Sequence, residues 1–430
     1  MNTNHTKHAR RIGAAFTSML MVGALAACST EPALPDEPVD LTVALWSANE
    51  AHLALFNEIG AAYVEANPDL VSSITFETIP FDAYTSTLTT RIAAGDPPDL
   101  AWMFESSAPE FVDAGALVDL TETLSATEGY DFEDLNPSAM KLWTESDSTY
   151  AYPFSTTPQI FMVNNDLFHA AGIPTAREML EAGDWTWDGI RDSSAAILAA
   201  TGKPGFPVRL DPAVWQYLAL IWEGFGASPW SEDGTECTFD SPEMVEALEF
   251  IRDGVYVDAA FPKPGSNFDF FSGGAAMDAG GISQANKLDG SFDWDVLPLP
   301  EGPAGQVNII GQAGIGVLKA GDNHAQAAGF LAYYSNPENA AKLAQFFPAP
   351  RLSLTNVDVL GPVNPVLSAD QLQEIVVDTV TDAQTFPSHA NFAAISNAVQ
   401  PLFDGIWTAD SDIPSIAADV CGVMKPLLER

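Results

Sequence analysis

Basic side chains are scarce in this 430-residue sequence, which carries 17 Lys and Arg against 58 Asp and Glu, a formal net charge of −41. Lys7, Arg10 and Arg11 lie in residues 1–27, so the chain beyond them holds 14 basic residues and a net charge of −44. A surface this acidic repels phosphates and anionic lipids. The composition therefore argues against nucleic-acid binding and against electrostatic docking to a membrane.

Sequence motifs of known enzymes are also missing. The chain contains no H-E-x-x-H, G-x-S-x-G, P-loop or G-x-G-x-x-G pattern, and its three cysteines form no C-x-x-C pair. Pairs of carboxylates, which a glycoside hydrolase uses, are uninformative in a chain with 58 acidic residues. We expect a protein that is not an enzyme and needs no cofactor or metal, with a secreted glycoside hydrolase as the alternative.

Long hydrophobic runs are the third absence. Residues 12–25 form an uncharged stretch of 14 residues, whereas a membrane-spanning helix needs about 20. Its length and the basic residues before it are typical of a signal peptide, which we place at residues 1–27. The Leu-Ala-Ala-Cys that ends at Cys28 resembles the lipobox of bacterial lipoproteins, in which this cysteine is acylated and becomes the N-terminus. An ordinary signal peptide is the alternative.

The segment after Cys28 reads as a spacer. Residues 28–40 contain three prolines and four acidic residues without apolar periodicity, which predicts an extended tether with a reach of roughly 35 Å. Export places the remaining cysteines, Cys237 and Cys421, in an oxidising compartment, where an even number favours one disulfide. Two buried free thiols are the alternative.

Beyond the tether, short β-branched and apolar runs alternate with runs of helical periodicity. The pattern predicts strands at 41–46, 74–79 and 99–104, with helices at 51–67 and 84–94 between them. Such alternation is typical of a parallel sheet that binds ligands at the carboxyl ends of its strands. About 400 residues exceed one ordinary core and favour two domains.

Six stretches follow one another in a recognisable order: RIAAGDPPDL, PEFVDAGALVDLT, YAYPFSTTPQIFMVNNDLFHAAGIP, DWTWDGI, FFSGGAAMDAGG and GQAGIGVLKAGDNHAQAAGFLAYYSNPENAAKLA. Together they resemble the family-1 extracellular solute-binding proteins of bacterial ABC importers, the maltodextrin-binding type. The resemblance covers about residues 40–430.

This resemblance implies an α/β fold with two lobes, each a mostly parallel sheet flanked by helices, and a ligand cleft between them. Lobe one would hold residues 40–154 and 312–358, and lobe two residues 155–311 and 359–430. Pro153 would flank the hinge, because proline fixes φ beside a bend. The implied protein is a monomer, anchored by lipid outside the cytoplasmic membrane, that passes a carbohydrate to the permease subunits of an importer.

Sugars present apolar faces that stack on aromatic rings and hydroxyls that pair with polar side chains. Trp46, at the end of the first strand, is the stacking candidate, with a core tryptophan as the alternative. Asn49 and Glu50 follow it and could receive hydroxyls, although asparagine is also a good helix cap. In the family, the turn that matches Glu105 and Ser106 contacts sugar.

Further candidates come from the hinge and lobe two: Thr156, Trp215, Asp278, Gly281 and Gln312. Asp278 would accept hydroxyls, and glycine at 281 would allow the backbone to approach a ligand closely. A helix is predicted from Trp215 to Phe225. Trp222, seven residues after Trp215 on the same face of this helix, is expected to pack in the core. In the stretch FPSHANF, His389 or Phe392 could add a ring to the cleft.

The ligand is expected to be a neutral mono- or small oligosaccharide. Ile282 and Ser283 stand where the maltodextrin type has a stacking tryptophan, which disfavours a long maltodextrin. A glycerol phosphate, a polyamine or a metal is the alternative ligand. A phosphate would require arginine or a helix N-terminus in the cleft, and no basic residue lies in the strand-end turns named above.

Overall fold

The structure is a computed structural model that describes residues 37–428. The predicted signal peptide, Cys28 and most of the tether lie outside the described residues. Between residues 37 and 428, no helix is long and apolar enough to cross a membrane. The same part of the chain contains no group of three or more His, Cys, Asp or Glu placed to hold a metal ion.

The described chain contains ten strands and seventeen α-helices. The strands are β1 (Val39–Leu45), β2 (Val71–Thr78), β3 (Leu100–Phe104), β4 (Thr144–Glu145), β5 (Ser148–Thr149), β6 (Ala151–Asn164), β7 (Met277–Gly281), β8 (Trp294–Leu297), β9 (Ile309–Val317) and β10 (Gln384–Thr385). The helices are α1 (Glu50–Ala66), α2 (Tyr84–Ala94), α3 (Ala108–Asp113), α4 (Thr121–Ala126), α5 (Pro137–Met140), α6 (Asn165–Ala171), α7 (Ala176–Ala182), α8 (Trp187–Thr201), α9 (Ala219–Trp222), α10 (Pro242–Tyr256), α11 (His324–Tyr334), α12 (Pro337–Leu343), α13 (Val357–Val363), α14 (Ala369–Leu372), α15 (Asp378–Val380), α16 (Phe392–Ile406) and α17 (Ile413–Leu428).

The main sheet has the order β2-β1-β3-β9-β6-β7, with β8 paired to β6 and β10 paired to β9. The predicted parallel pairing is confirmed for β1 with β2 and with β3. The structure adds that the sheet is mixed, since β6 pairs antiparallel with β7, β8 and β9, and β3 pairs antiparallel with β9. Along β6 the chain passes from the first to the second of the two hydrophobic cores described below, and along β9 it returns to the first. The two strands therefore run in opposite directions.

Two large hydrophobic cores lie on either side of these crossing strands. The first is built from residues between 41 and 154 and between 313 and 343. The second is built from residues between 161 and 309 and between 386 and 428. Phe161 and Val163 belong to this second core, whereas Ile160 and Met162 belong to a smaller cluster completed by residues 360–383. Because side chains alternate along a strand, the sheet is covered on both faces there.

The segment predicted as one helix from Trp215 to Phe225 is instead three short helical pieces. A 3₁₀ turn at Pro212–Leu218 precedes α9, and another at Glu223–Phe225 follows it. Val214 is non-helical, with φ −129° and ψ 34°. The structure also joins Cys237 to Cys421 in a disulfide, which ties the segment before α10 to α17.

Candidate functional site

An aromatic surface forms where β1 and β3 end. The Trp46 ring stacks on Phe104 with centroids 4.3 Å apart and planes inclined by 15°. The edges of Trp102 and Tyr84 also contact it, at 4.9 and 5.0 Å. Trp46 stays half-buried, and the neighbouring Phe81 is 61 % exposed. Because Phe104 covers one face of Trp46, a ligand could contact the other face and the exposed ring of Phe81.

Asn49 acts as the N-cap of α1. Its side-chain oxygen accepts hydrogen bonds from the backbone N–H groups of Ala51 and His52, at 2.9 and 3.4 Å. This is the capping role that the sequence left open as the alternative. Glu50 is exposed at the first position of the same helix.

Glu105 connects the end of β3 to the crossing strand β9. Its carboxylate accepts a hydrogen bond from the backbone N–H of Gln312. Burial raises the pKa of Glu105 to about 8, although the bond from Gln312 opposes the shift. The group is therefore largely protonated at neutral pH and can donate a hydrogen bond as well as accept one. Ser106 is half-buried in the same turn.

Asp278, on β7, is paired with an arginine that the sequence analysis did not single out. A guanidinium nitrogen of Arg209 lies 3.9 Å from the Asp278 carboxylate and donates to the carbonyl of Ala279 at 3.3 Å. Burial raises the pKa of Asp278, and the positive charge of Arg209 opposes this rise. The pair places a hydrogen-bond donor and an acceptor side by side, an arrangement suited to a sugar diol.

Tyr217 links this pair to Glu105. The Arg209 guanidinium lies over the Tyr217 ring at 5.6 Å from its centroid. Burial raises the pKa of Tyr217. The ring of Phe386 meets Tyr217 edge-on at 4.9 Å. Phe386 and Glu105 both lie beside Gly311 of β9, since a Cβ there would lie 3.7 Å from the Phe386 ring and 3.9 Å from the Glu105 carboxylate. Phe386, Tyr217 and Arg209 thus lie between Glu105 and Asp278.

Gly281 is required by close packing. A Cβ at this position would lie 2.6 Å from the methyl carbon of Thr157 on β6. Gln159, two residues further on, donates from its side chain to the carbonyl of Thr157 at 3.2 Å. A Cβ on Gly311 would lie 3.1 Å from the same Gln159 nitrogen. Glycines on β7 and β9 therefore let these strands approach β6 and its side chains closely.

Three predicted side chains have protein partners in this conformation. Trp215 is fully buried in the second core, stacks on Phe392 at 5.7 Å and donates to the Ser396 hydroxyl at 3.2 Å. The Thr156 hydroxyl donates to the carbonyl of Pro348 at 2.9 Å.

Gln312 is the third. Its side-chain oxygen accepts from the Trp143 indole at 3.1 Å, and its side-chain nitrogen donates to the carbonyl of Ala139 at 2.9 Å. Trp46, Glu105 and Asp278 also contact other residues, but the structure leaves part of each side chain accessible. It holds the side chains of Thr156, Trp215 and Gln312 within the fold.

The rings of the FPSHANF stretch have partners within the protein. His389 faces the carbonyl of Gly234 at 3.0 Å and the edge of Trp230. Phe392 stacks on Trp215, and Phe386 is buried in the second core, where it contacts Tyr217. Arg209 could have been found as one of the few basic residues of the chain.

Comparison with known proteins shows the family. Residues 47–341 match the bacterial extracellular solute-binding proteins. A putative binding protein of Brucella abortus (strain 2308) is 28 % identical over 239 residues, which are 53 % of this chain and 52 % of that protein. The chain thus spans about half the length of this relative.

Two further relatives align over more of their length. The arabinooligosaccharide-binding protein of Halalkalibacterium halodurans is 24 % identical over 312 residues, 69 % of this chain and 67 % of the relative. An uncharacterized lipoprotein of Streptomyces antibioticus is 24 % identical over 350 residues, 78 % and 74 % of the two chains.

Solved structures share the fold. An ABC substrate-binding protein of Listeria monocytogenes in complex with cycloalternan superimposes with a TM-score of 0.76 at 24 % identity, covering 91 % of this chain and 99 % of that chain. The cyclic α-maltosyl-1,6-maltose binding protein of Arthrobacter globiformis gives a TM-score of 0.76 at 20 % identity, with the same coverage. These matches confirm the predicted two-lobed α/β fold. The chain belongs to the bacterial extracellular solute-binding proteins.

Proposed function

We propose that this protein captures a carbohydrate in a cleft between two lobes and delivers it to the permease of an ABC importer. The observation that carries the proposal is the row of side chains that runs from the Trp46 surface and Glu105 through Phe386 and Tyr217 to the Arg209–Asp278 pair. Family membership supports a binding role, and the relatives named for their saccharide ligands support the ligand class.

The lobes are proposed to comprise residues 40–154 with 312–358, and residues 155–311 with 359–430. The separate hydrophobic cores support this division, since one core draws on residues up to 154 and from 313 onward, and the other on residues 161–309 and 386–428. The Trp46 surface would then belong to lobe one and Asp278 to lobe two. A ligand that contacts both favours the closed form.

The proposed contacts suit a neutral sugar. The Trp46 ring and the exposed Phe81 would receive an apolar sugar face, while Glu105, Asp278 and Arg209 would exchange hydrogen bonds with hydroxyls. Asp278 partly neutralises the charge of Arg209, which weakens the attraction of the site for a phosphate. A neutral polyol fits this combination of donors, acceptors and rings better than an anion does.

The protein is further proposed to be a lipoprotein, held outside the cytoplasmic membrane through acylated Cys28. The Leu-Ala-Ala-Cys motif and the Streptomyces lipoprotein relative support this anchor. Full-length protein should partition with membranes, because two or more acyl chains on Cys28 give stable anchoring. Cys28→Ala should not, because it removes the residue that carries these chains. Detergent-phase partitioning of both proteins measures this, and equal partitioning would contradict the anchor.

A thermal-shift screen tests the ligand class. Arabinose, maltose and their longer oligosaccharides are added to the protein, and a bound sugar should raise the melting temperature, since a ligand at about 100 times its Kd stabilises by roughly 2.7 kcal/mol. The same mixtures are analysed for newly formed reducing ends. Absence of any shift would contradict carbohydrate capture, and catalytic release of reducing ends would favour the glycoside hydrolase.

A further inference from the structure

A groove of about 680 Å³ is lined by residues of both proposed lobes. Its wall from lobe one includes Lys141, and its wall from lobe two includes Glu223, Glu232 and Asp382. Among the described residues of this lining, Lys141 carries the one positive charge, and it faces three carboxylates. The two walls are therefore complementary in charge.

Lys141 and Glu232 join the two walls directly. The Lys141 ammonium group lies 3.0 Å from the Glu232 carboxylate, and both side chains are exposed. Close by, the hydroxyl of Ser138 on α5 donates to the carbonyl of Thr381 at 3.1 Å. Among the ion pairs formed within residues 37–428, Lys141–Glu232 alone joins the two proposed lobes.

Glu232 is carried by a loop that is fastened at its ends and near its tip. Trp230 and Cys237 pair antiparallel at the base of the loop, and the disulfide ties Cys237 to α17. His389 contacts the carbonyl of Gly234 at 3.0 Å. A loop that is already held in place loses little conformational entropy when its carboxylate pairs with a lysine across the groove.

The charges of the two lobes oppose their approach. Lobe one, as proposed, holds 23 acidic and 5 basic residues, a net charge of −18, and lobe two holds 32 acidic and 9 basic residues, a net charge of −23. Two bodies of like charge repel each other as the distance between them falls. A cation of lobe one that meets an anion of lobe two offsets part of this repulsion at the place where the lobes meet.

We propose that Lys141 and Glu232 form an electrostatic latch that stabilises the closed form of the two lobes. The pair would break when the lobes separate and form again when a ligand draws them together. The inference rests on the proposed function and deepens it, because it names residues outside the ligand site that adjust the affinity for the ligand. Both are positioning residues, which act through closure and need no contact with the saccharide.

Carbodiimide coupling detects the latch in solution. The reagent activates the Glu232 carboxyl group, the Lys141 amine displaces it to form an amide, and the reagent leaves as a urea that carries the displaced oxygen. Full-length wild-type protein is coupled alone, with maltotriose and with arabinotriose, and the amide is quantified by mass spectrometry after digestion. A bound trisaccharide should raise the yield about twofold or more, because it shifts the population towards the closed form.

The internal reference is the amide between Lys342 and Glu338. These two side chains are also 3.0 Å apart, but both belong to α12. The yield of their amide should be the same with and without the trisaccharide, because closure does not change a distance within one helix.

Calorimetric titration with the trisaccharide that binds measures the effect of the latch on affinity. Lys141→Glu and Glu232→Lys should each weaken binding about two- to fivefold, the range expected for exposed ion pairs. The double variant Lys141→Glu/Glu232→Lys should recover most of the lost affinity, because the pair forms again with its charges exchanged. The matched control is Lys342→Glu, which removes an ion pair within one helix and should leave the affinity unchanged.

Three results would overturn the latch. The first is a Lys342–Glu338 amide without any Lys141–Glu232 amide, and the second is a Lys141–Glu232 amide whose yield does not respond to a bound trisaccharide. The third is a double variant that binds no more tightly than the single variants. If neither trisaccharide nor any other sugar of the thermal-shift screen binds, the proposed function fails and the latch with it. Failure of the latch alone would instead appear as normal binding without these effects.

Discussion

At the scale of single residues, Glu105 shows how burial and a backbone contact compete. Burial raises the pKa of its carboxyl from 4.5 to about 8, and the Gln312 N–H opposes the rise. At a pH between 4.5 and about 8, the Glu105 carboxyl keeps its proton in the folded protein and releases it in the unfolded chain. The stability that this group contributes is therefore fully present below about pH 4.5 and is lost as the pH rises through about 8.

The variant Glu105→Gln should remove this part of the pH dependence, because the amide is similar in shape and does not titrate. Urea denaturation measures the free energy of unfolding of both proteins from mildly acidic to mildly alkaline pH. The stability of the variant relative to wild type should increase up to about pH 8 and then level off. Glu110→Gln, at an exposed position of α3, is the control. Parallel curves for Glu105→Gln and wild type would contradict the account.

Arg351 is a second residue whose burial predicts a measurable effect. It is fully buried, lies 3.4 Å from the Asp134 carboxylate and donates twice to the carbonyl of Ser335, at 2.8 and 3.1 Å. Arg351→Met would leave the Ser335 carbonyl without these donors, and the Asp134 carboxylate would lose its charged partner and keep only Ser353. Removal of one partner of a buried pair lowers the free energy of unfolding by about 3–5 kcal/mol.

The comparison for Arg351 is an exposed ion pair of similar length. Lys342 lies 3.0 Å from Glu338 on α12, and both side chains are exposed. Lys342→Met should lower the free energy of unfolding by about 0–1 kcal/mol, as exposed pairs do. Urea denaturation of the two variants measures the difference. Equal losses would mean that the buried arginine is not held as the structure indicates.

The residues of the candidate site could be predicted only in part. Trp46 and Glu105 follow strands with clear apolar patterns, so the carboxyl-end rule for parallel sheets leads to them. Arg209 follows a short segment in which Gly205 accepts hydrogen bonds from Ala276 and Met277 at 3.2 and 2.9 Å, although it forms no assigned strand. Local pattern cannot reveal such a contact, because the partners are about 70 residues apart.

At the scale of elements, helices with clear boundaries were predicted best. The helix predicted at 84–94 is α2, and Gly95 ends it with a left-handed φ of 75°, a conformation that glycine adopts without strain. The segment around Trp215 was predicted less well. Its 3₁₀ turn is fixed by packing against Phe392 and Phe403 of α16, far along the chain. The periodicity of apolar residues predicts which face of a helix is buried. It cannot predict which distant element will distort that helix.

The disulfide belongs to the same scale, because it fastens α17 to the segment before α10. Cys237 and Cys421 are 184 residues apart, and closing so long a loop contributes on the order of 5 kcal/mol in the chain-entropy model, usually less in practice. Cys237→Ser/Cys421→Ser should lower the free energy of unfolding in urea, with wild type as the reference. Alkylation of the unreduced native protein followed by mass spectrometry should find both thiols protected. Two alkylated thiols would contradict the pairing.

At the scale of the whole molecule, the crossing strands β6 and β9 join the two hydrophobic cores. Strands β6 and β9 pair with each other between the two cores, and a third passage of the chain lies alongside, where Thr156 contacts Pro348. Contacts from both sides would couple ligand binding to closure, since a ligand shifts an equilibrium only through its differential affinity for the two states. The two-lobed class could be predicted from strand order and resemblance. The mixed sheet could not, because antiparallel pairing depends on contacts between distant strands.

The most direct test of the central claim is a calorimetric titration of wild type, Trp46→Ala and Asp278→Ala with the saccharide that gives the largest thermal shift. Each variant should bind about 10- to 100-fold more weakly, since one loses a stacking face and the other an acceptor, at about 1.4 kcal/mol per tenfold. Melting curves without ligand should show both variants folded. The control is Asp419→Ala, which removes an exposed aspartate of α17 and should bind like wild type. If Trp46→Ala and Asp278→Ala both bind the saccharide with wild-type affinity, the carbohydrate is not captured between these two surfaces.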